Sequence, residues 1–169
     1  MIGLHFILCR NLYVTATDIP DLSNAVGLDY SFSGCESLYT IPNIENWDVS
    51  NITKMIATFR SATNFNQDLS TWNTSACTDM GGMFNYATSF NQDISGWDVS
   101  NVISMVSMFT SSGFSTENYE KLLVGWSSQN VQNDVDFDAG PAQYHSEYAD
   151  EKSILTGKGW SISDGGMII

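Results

Sequence analysis

Hydrophobic residues in the middle of the chain return every 25 positions. Setting Trp47, Trp72 and Trp97 in register puts Ile52, Cys77 and Val102 in one column and Met55, Met80 and Met105 in another. A third column holds Phe59, Phe84 and Phe109, and a fourth holds Phe65 and Phe90. Polar positions keep the same beat, in FNQDLS from Phe65 and FNQDIS from Phe90. A diverged copy sits 27 residues earlier, where Ser23-Asn24, Leu28, Phe32 and Leu38 fall on Ser50-Asn51, Met55, Phe59 and Phe65. A half copy precedes it, with Ile2, Phe6, Cys9 and Leu12 on Leu28, Phe32, Cys35 and Leu38. Units near 1–21, 22–46, 47–71, 72–96 and 97–114 result.

A period of this length is the mark of a solenoid or propeller, in which each unit buries its apolar face only against its neighbours. Ile52, Met55 and Phe59 are spaced i, i+3, i+7, which predicts a short helix over 52–59 with Asp48 or Ser50 at its start. The stretch 66–72 carries polar residues between Leu69 and Trp72 and predicts a short extended segment. One helical turn and one short strand make an α/β coil, and roughly four to five such coils make a solenoid over 1–114. The Trp, Phe and Met columns are then structural ladders in its core, poor evidence for a cofactor site.

After residue 114 the repeat stops. Tyr119, Leu122, Leu123 and Trp126 predict a helix over 118–126; strands are expected at 131–137 and 160–162, and a second helix at 144–155. An open solenoid exposes an apolar face and an unpaired edge at its end, so residues 115–169 are expected to form a C-terminal α/β cap.

The units F-N-Q-D-[LI]-S-x-W-[DN]-x-S-x-x-x-x-M-x-x-x-F closely resemble the repeat of bacterial BspA-like leucine-rich-repeat surface proteins, also abundant in mycoplasma surface lipoproteins. FSGCESLYTIP and FILCRNLYVTATDIP are similar to the A-F-x-x-C-x-x-L pattern of that group, and the region from Phe114 onward resembles the segment that ends such arrays in secreted bacterial proteins. The resemblance implies a leucine-rich-repeat-like solenoid, an extracellular or cell-surface location, and binding to a protein or glycan on a host, cell or matrix surface. The chain itself carries no recognisable export signal, lipobox or anchor, so export rests on the resemblance.

Charge narrows the partners. Six Lys and Arg stand against nineteen Asp and Glu, a formal net charge of −13, which leaves no basic surface to neutralise nucleic-acid phosphates and disfavours anionic membranes. No apolar run approaches the roughly 20 residues of a membrane span. MIGLHFILCRNL at the N-terminus has an apolar patch but no basic flank and no small-residue cleavage position, so it reads as part of a repeat. A chain beginning inside a repeat is expected to be a fragment, a domain of a longer chain, or a product whose export signal has been removed.

Candidate chemistry is sparse. Cys9 and Cys35 share a phase in adjacent units, close enough for a bridge; the competing reading is two buried thiols. His5 and His145 have no motif partner, and no phosphate loop, HExxH or paired CxxC occurs, so no catalysis is expected. Asp134, Asp136 and Asp138 resemble the opening of a calcium loop, but Gly140 stands one place late and no Glu occupies the twelfth position. The competing reading is a strand with Val135 and Phe137 inward and the three Asp outward. Asp68 and Asp93 would stack one coil apart and need a cation or a hydrogen-bond donor between them. No other cofactor is expected. Three functions follow: a surface binding module, a structural spacer or assembly element of a larger surface or phage-tail-like protein, and, disfavoured, an enzyme.

Overall fold

The computed structural model describes residues 6–169. Ile2 and His5 lie outside the described residues.

Two sets of backbone hydrogen bonds alternate along each unit. The N–H groups of Leu28, Tyr30, Phe32 and Gly34 donate to the carbonyls of Lys54, Ile56, Thr58 and Arg60 in the following unit, at 2.7 to 2.9 Å. The residues between them donate backwards, Ser31 to Leu28 and Ser33 to Tyr30, closing tight turns at 3.1 Å. The same alternation carries Met55, Ala57, Phe59 and Ser61 onto Asp79, Gly81, Met83 and Asn85, and then Met80, Gly82, Phe84 and Tyr86 onto Ser104, Val106, Met108 and Thr110. Single parallel bridges join Gly27 to Lys54, Lys54 to Asp79 and Asp79 to Ser104. Successive units therefore lie one on the next.

This arrangement replaces the helix expected over 52–59. Ile52, Met55 and Phe59 are all fully buried, but on a run of overlapping turns. A chain reversing every few residues repeats its inward positions at nearly the same interval as a helix, so apolar spacing does not separate the two. The destination of the N–H groups does, since half of them leave the unit. The stretch 66–72 is likewise not a paired strand. Side chains link it to its neighbours: Asn66 Oδ1 accepts from Asn91 N at 2.8 Å, Gln67 bonds both the N–H and the carbonyl of Ile41, and Thr71 Oγ1 donates to Glu45 O at 2.6 Å.

Each run of turns needs two left-handed residues four positions apart. Gly34 and Gly82 supply it without steric cost at φ +73 and +62. Tyr30, Ala57, Ser61, Tyr86, Ser107 and Ser111 adopt φ between 52 and 59 at the equivalent positions. An L-residue there is disfavoured by about 1–2 kcal/mol, which the ladder bonds on either side must offset.

Inside the turns the rings stack. Phe6, Phe32, Phe59, Phe84 and Phe109 form one column with centroids 5.6 to 5.8 Å apart. Trp47, Trp72 and Trp97 form a second at 6.5 and 6.3 Å, and Phe65 and Phe90 a third at 6.3 Å. The columns interlock, since Phe65 lies 4.1 Å from Phe59 and Phe90 lies 3.7 Å from Phe84. Met55, Met80 and Met105 are fully buried in the same core. The indole N–H of Trp72 donates to Ile44 O and that of Trp97 to Leu69 O, so each Trp is tied to the main chain 28 residues earlier. Ile44 itself sits in a single 3₁₀ turn, Ile44–Asn46.

The sequence repeat fades near residue 114, but the ladder does not. Helix α1 (Thr116–Ser127) begins at Ser115, whose side chain accepts from Asn118 N, and buries Tyr119, Leu122, Leu123 and Trp126. Beyond it, strand β1 (Asp136–Asp138) takes up the next rung, with Met105 N donating to Asp136 O and Phe109 N to Asp138 O. Strand β2 (Tyr144–His145), a 3₁₀ turn (Ser146–Tyr148) and helix α2 (Ala149–Gly157) follow, then β3 (Ser161–Ser163) and β4 (Met167–Ile168). β1 pairs in parallel with β3 and β2 with β4. The helix expected over 144–155 thus starts later, because Tyr144 and His145 are drawn into pairing with Met167 and Ile168. Trp160 Nε1 donates to Gln132 O, again 28 residues earlier, as at Trp72 and Trp97.

Two substitutions test this account. Phe84→Ala should cost about 3–5 kcal/mol in urea denaturation, because a fully buried ring in two stacks is lost, whereas Tyr39→Ala at an exposed position should stay within about 0.5 kcal/mol. Ser61→Gly should leave stability unchanged or raise it by up to about 1 kcal/mol, since relief of the left-handed strain outweighs the added freedom of the unfolded chain. A clear loss would contradict the left-handed turn.

Candidate binding face

Met and Phe side chains turn inward and Ser31, Ala57, Thr58 and Met83 are buried with them, so only a few residues of each ladder segment are left outside. They build one face across successive units. Tyr30, Ile56, Arg60, Asn85 and Val106 surround a shallow groove of about 340 Å³ on this face. Tyr30 and Val106 are 43% and 54% exposed, and nearby Val26, Tyr86 and Ile103 are 71%, 50% and 63% exposed. The carboxylates beside the groove are engaged with backbone, Asp29 Oδ1 accepting from Ile56 N at 3.0 Å and Asp79 Oδ1 from Gly81 N at 2.9 Å. Apolar side chains, and one guanidinium, are thus presented on a chain that is otherwise strongly acidic. The signal for these residues in the sequence is weak. They occupy columns whose identity changes from unit to unit, Val26-Thr53-Thr78-Ile103 and Asp29-Ile56-Gly81-Val106, between columns that do not change.

The repeated polar positions serve local structure. Asp48, Asn73 and Asp98 accept from the backbone N–H of Ser50, Ser75 and Ser100 at 2.9 to 3.2 Å, and Asp68 and Asp93 do the same for Ser70 and Ser95. These are side-chain turns that satisfy backbone where no regular element does. Hydrogen bonds from Ser50 hold the Asp48 carboxyl below the usual carboxylate range. Asp68 and Asp93 line a shallow surface hollow with Ser70, Gln92 and Ser95. Lys121 Nζ lies 3.8 Å from Asp93, which relieves that charge without a metal ion.

Asp134, Asp136 and Asp138 are not gathered about a common point. Asp134 is exposed, in a left-handed conformation at φ 58, and its carboxyl lies against Gly159. Asp136 is exposed on β1, while Val135 and Phe137 point into the core. Asp138 spends one oxygen on Thr110 Oγ1 and the other on Gly140 N at 2.6 Å. Gly140 owes its identity to packing: it has φ +64, and a Cβ there would overlap the carbonyl of Phe109. Among the described residues no three His, Cys, Asp or Glu side chains come together as a metal site. The loop-like spacing of these aspartates is that of a strand, held between residues 105–109 and β3, followed by a turn.

The thiols also differ from the buried pair expected. Cys9 is exposed while Cys35 is buried, and Cys35 Sγ donates to Phe6 O at 2.9 Å. Burial pushes the Cys35 and Cys77 thiols up to about 11, far from a reactive thiolate at neutral pH. His145 meets a carboxylate the sequence did not offer, since Glu120 of α1 accepts from both its backbone N–H at 2.8 Å and its Nδ1 at 2.7 Å. A second polar cluster lies below it. The Asp164 side chain, 6% exposed, accepts from Tyr119 Oη and Lys152 Nζ, each at 2.7 Å, and from Gly166 N at 3.0 Å. Burial, then the Asp164 carboxylate, drives the Tyr119 hydroxyl far above its ordinary pKa, so it stays a neutral donor. These groups join α1, α2 and the last loop, and none faces an enclosed cavity. No helix is long and apolar enough to cross a membrane among the described residues.

A chain of near-identical units sharing one main-chain ladder and an exposed, variable face is a repeat protein. A family model described as "Mycoplasma protein of unknown function, DUF285" matches residues 26–146, and the chain belongs to that family. No match was found among curated proteins or among solved structures.

The aspartates give a direct test. Asp138→Ala should destabilise by about 1–3 kcal/mol because Thr110 and Gly140 lose a charged acceptor, while Asp136→Asn should be neutral within about 0.5 kcal/mol. Millimolar calcium should not change the thermal midpoint of either variant or of the parent chain. A calcium-dependent rise abolished by Asp136→Asn would restore the metal reading.

Proposed function

We propose that this chain is a non-catalytic module of the BspA-like leucine-rich-repeat type, a solenoid displayed at a cell surface or secreted, which binds another protein or a glycan through its ladder face. The observation that carries the reading is the exposed apolar and aromatic set around Tyr30, Ile56 and Val106, spread over three units of an otherwise acidic surface. Repeat proteins commonly bind through an extended face on which side chains vary while the spacing stays fixed. Tyr, Arg and branched apolar side chains are also the residue types that anchor interfaces. The acidic surroundings favour a partner with basic groups at its rim. The resemblance of the repeat to surface proteins supports that location.

A second reading has its own support. Ile7, Leu8 and Tyr13 are 50%, 68% and 74% exposed at the N-terminal edge, where a spacer or assembly element would meet its neighbour.

Immobilised protein should retain a specific partner from solubilised surface and matrix proteins, and the double variant Tyr30→Ser, Val106→Ser should reduce retention at least roughly tenfold without loss of stability. Retention lost instead in Leu8→Ser, Tyr13→Ser would transfer the function to the N-terminal edge and favour the assembly reading.

A further inference from the structure

The tryptophan column contains one unmade hydrogen bond. Trp72, Trp97 and Trp160 each donate Nε1 to a backbone carbonyl 28 residues earlier, at 2.8 to 2.9 Å. The residue in that relation to Trp47 is Ile19. Trp47 is only 7% exposed, yet its Nε1 is buried without a partner. A buried donor left unpaired is disfavoured, and any acceptor that reaches it is correspondingly favoured. Trp47 and Ile19 both line one groove of about 420 Å³, together with Phe6, Phe32 and Ile41. Asp18 and Asp21, both exposed, stand at its border. Hydrogen bonds from Ser23 hold the Asp21 carboxyl below the usual range, so it is ionised at neutral pH.

The deeper units show what fits over such an indole. At Trp72 the cover is the main chain around Ile44, whose carbonyl accepts the indole N–H while the Ile44 side chain is fully buried beside it. An extended segment with a free carbonyl and an apolar side chain therefore matches the groove, and the two carboxylates add a preference for positive charge. We propose that the groove between Trp47 and residues 14–21 is a binding site for an extended peptide segment carrying an apolar side chain flanked by Lys or Arg. Residues 14–21 draw aside so that the peptide carbonyl reaches the covered Trp47 Nε1, the apolar side chain enters among Phe6, Phe32 and Ile41, and the basic groups pair with Asp18 and Asp21. The site is separate from the ladder face, so either can fail without the other.

The test uses the full ¹⁵N-labelled chain, with the Trp47 indole resonance assigned by its loss in Trp47→Phe. The probe is acetyl-Ile-Lys-Leu-Lys-amide, and the control is acetyl-Ile-Glu-Leu-Glu-amide. The basic peptide should move the Trp47 indole N–H downfield and leave Trp72 and Trp97 in place, with a dissociation constant of about 1 mM or below. The exposed pair Asp18→Asn, Asp21→Asn should weaken it roughly threefold or more. Three results would overturn the proposal: a Trp47 indole already as protected from exchange as Trp72 in the free protein, which would mean that the chain closes its own bond; no shift with the basic peptide at about 5 mM; or equal responses to the two peptides.

Discussion

Everything in this molecule hangs on the alternation of backbone donors, one N–H closing a turn within its unit and the next crossing to the unit beside it. Parallel pairing of this kind fixes adjacent chains at about 4.8 Å, and side chains at equivalent positions must then meet their own counterparts. A ring is satisfied by a ring above it and a methionine by a methionine. Five phenylalanines in one column and three tryptophans in another are the consequence, with centroid separations a little wider than the chain spacing because the rings lie offset. The constant length of the ladder segment has the same origin, since a residue added within it would send inward positions out and break the crossing bonds. The 27-residue offset of the earlier unit comes from two extra residues between Leu38 and Trp47, outside that segment.

A fold with so few regular elements must satisfy its backbone by other means. Buried N–H and carbonyl groups need partners whether or not a helix or sheet supplies them. Here the aspartates and serines of each unit form local turns, Gln67 bonds both backbone groups of Ile41, and the indoles of Trp72 and Trp97 each reach the main chain 28 residues earlier. Polar residues that repeat as faithfully as the aromatic ones are thereby explained without a ligand. The residues free of both duties are the outward ones, and only there can the chain change identity without loss of fold. Tyr30, Ile56 and Val106 belong to that set, which is why the ladder face is the place to seek recognition.

The C-terminal third shows how the ladder outlasts the sequence pattern. β1 and β3 hold its last rungs, and Trp160 repeats the indole bond of Trp72 and Trp97 although no motif around it resembles theirs. The helices α1 and α2 are longer excursions between rungs. They close the end of the core with Tyr119, Leu122 and Trp126, and are pinned together through Asp164, Lys152 and Tyr119. A charged pair so placed fixes the relative position of its elements more than it adds to stability.

By itself the sequence determined the period, the membership of the columns Trp47-Trp72-Trp97 and Phe59-Phe84-Phe109, and the buried face of α1, because stacking like on like writes the same residue at a constant interval. It also held the spacing of Asp134, Asp136 and Asp138, but not its meaning, since a strand with one face turned outward and the start of a calcium loop place carboxylates at the same alternation. Tertiary structure alone decided that residues 52–59 run as overlapping turns, with Ala57 left-handed, rather than as a helix, that Glu120 meets His145, and that Trp47 keeps an unpaired N–H. Each depends on where a hydrogen bond goes once units are stacked. Side-chain periodicity records which residues face inward, but not which neighbour a backbone or indole donor finds.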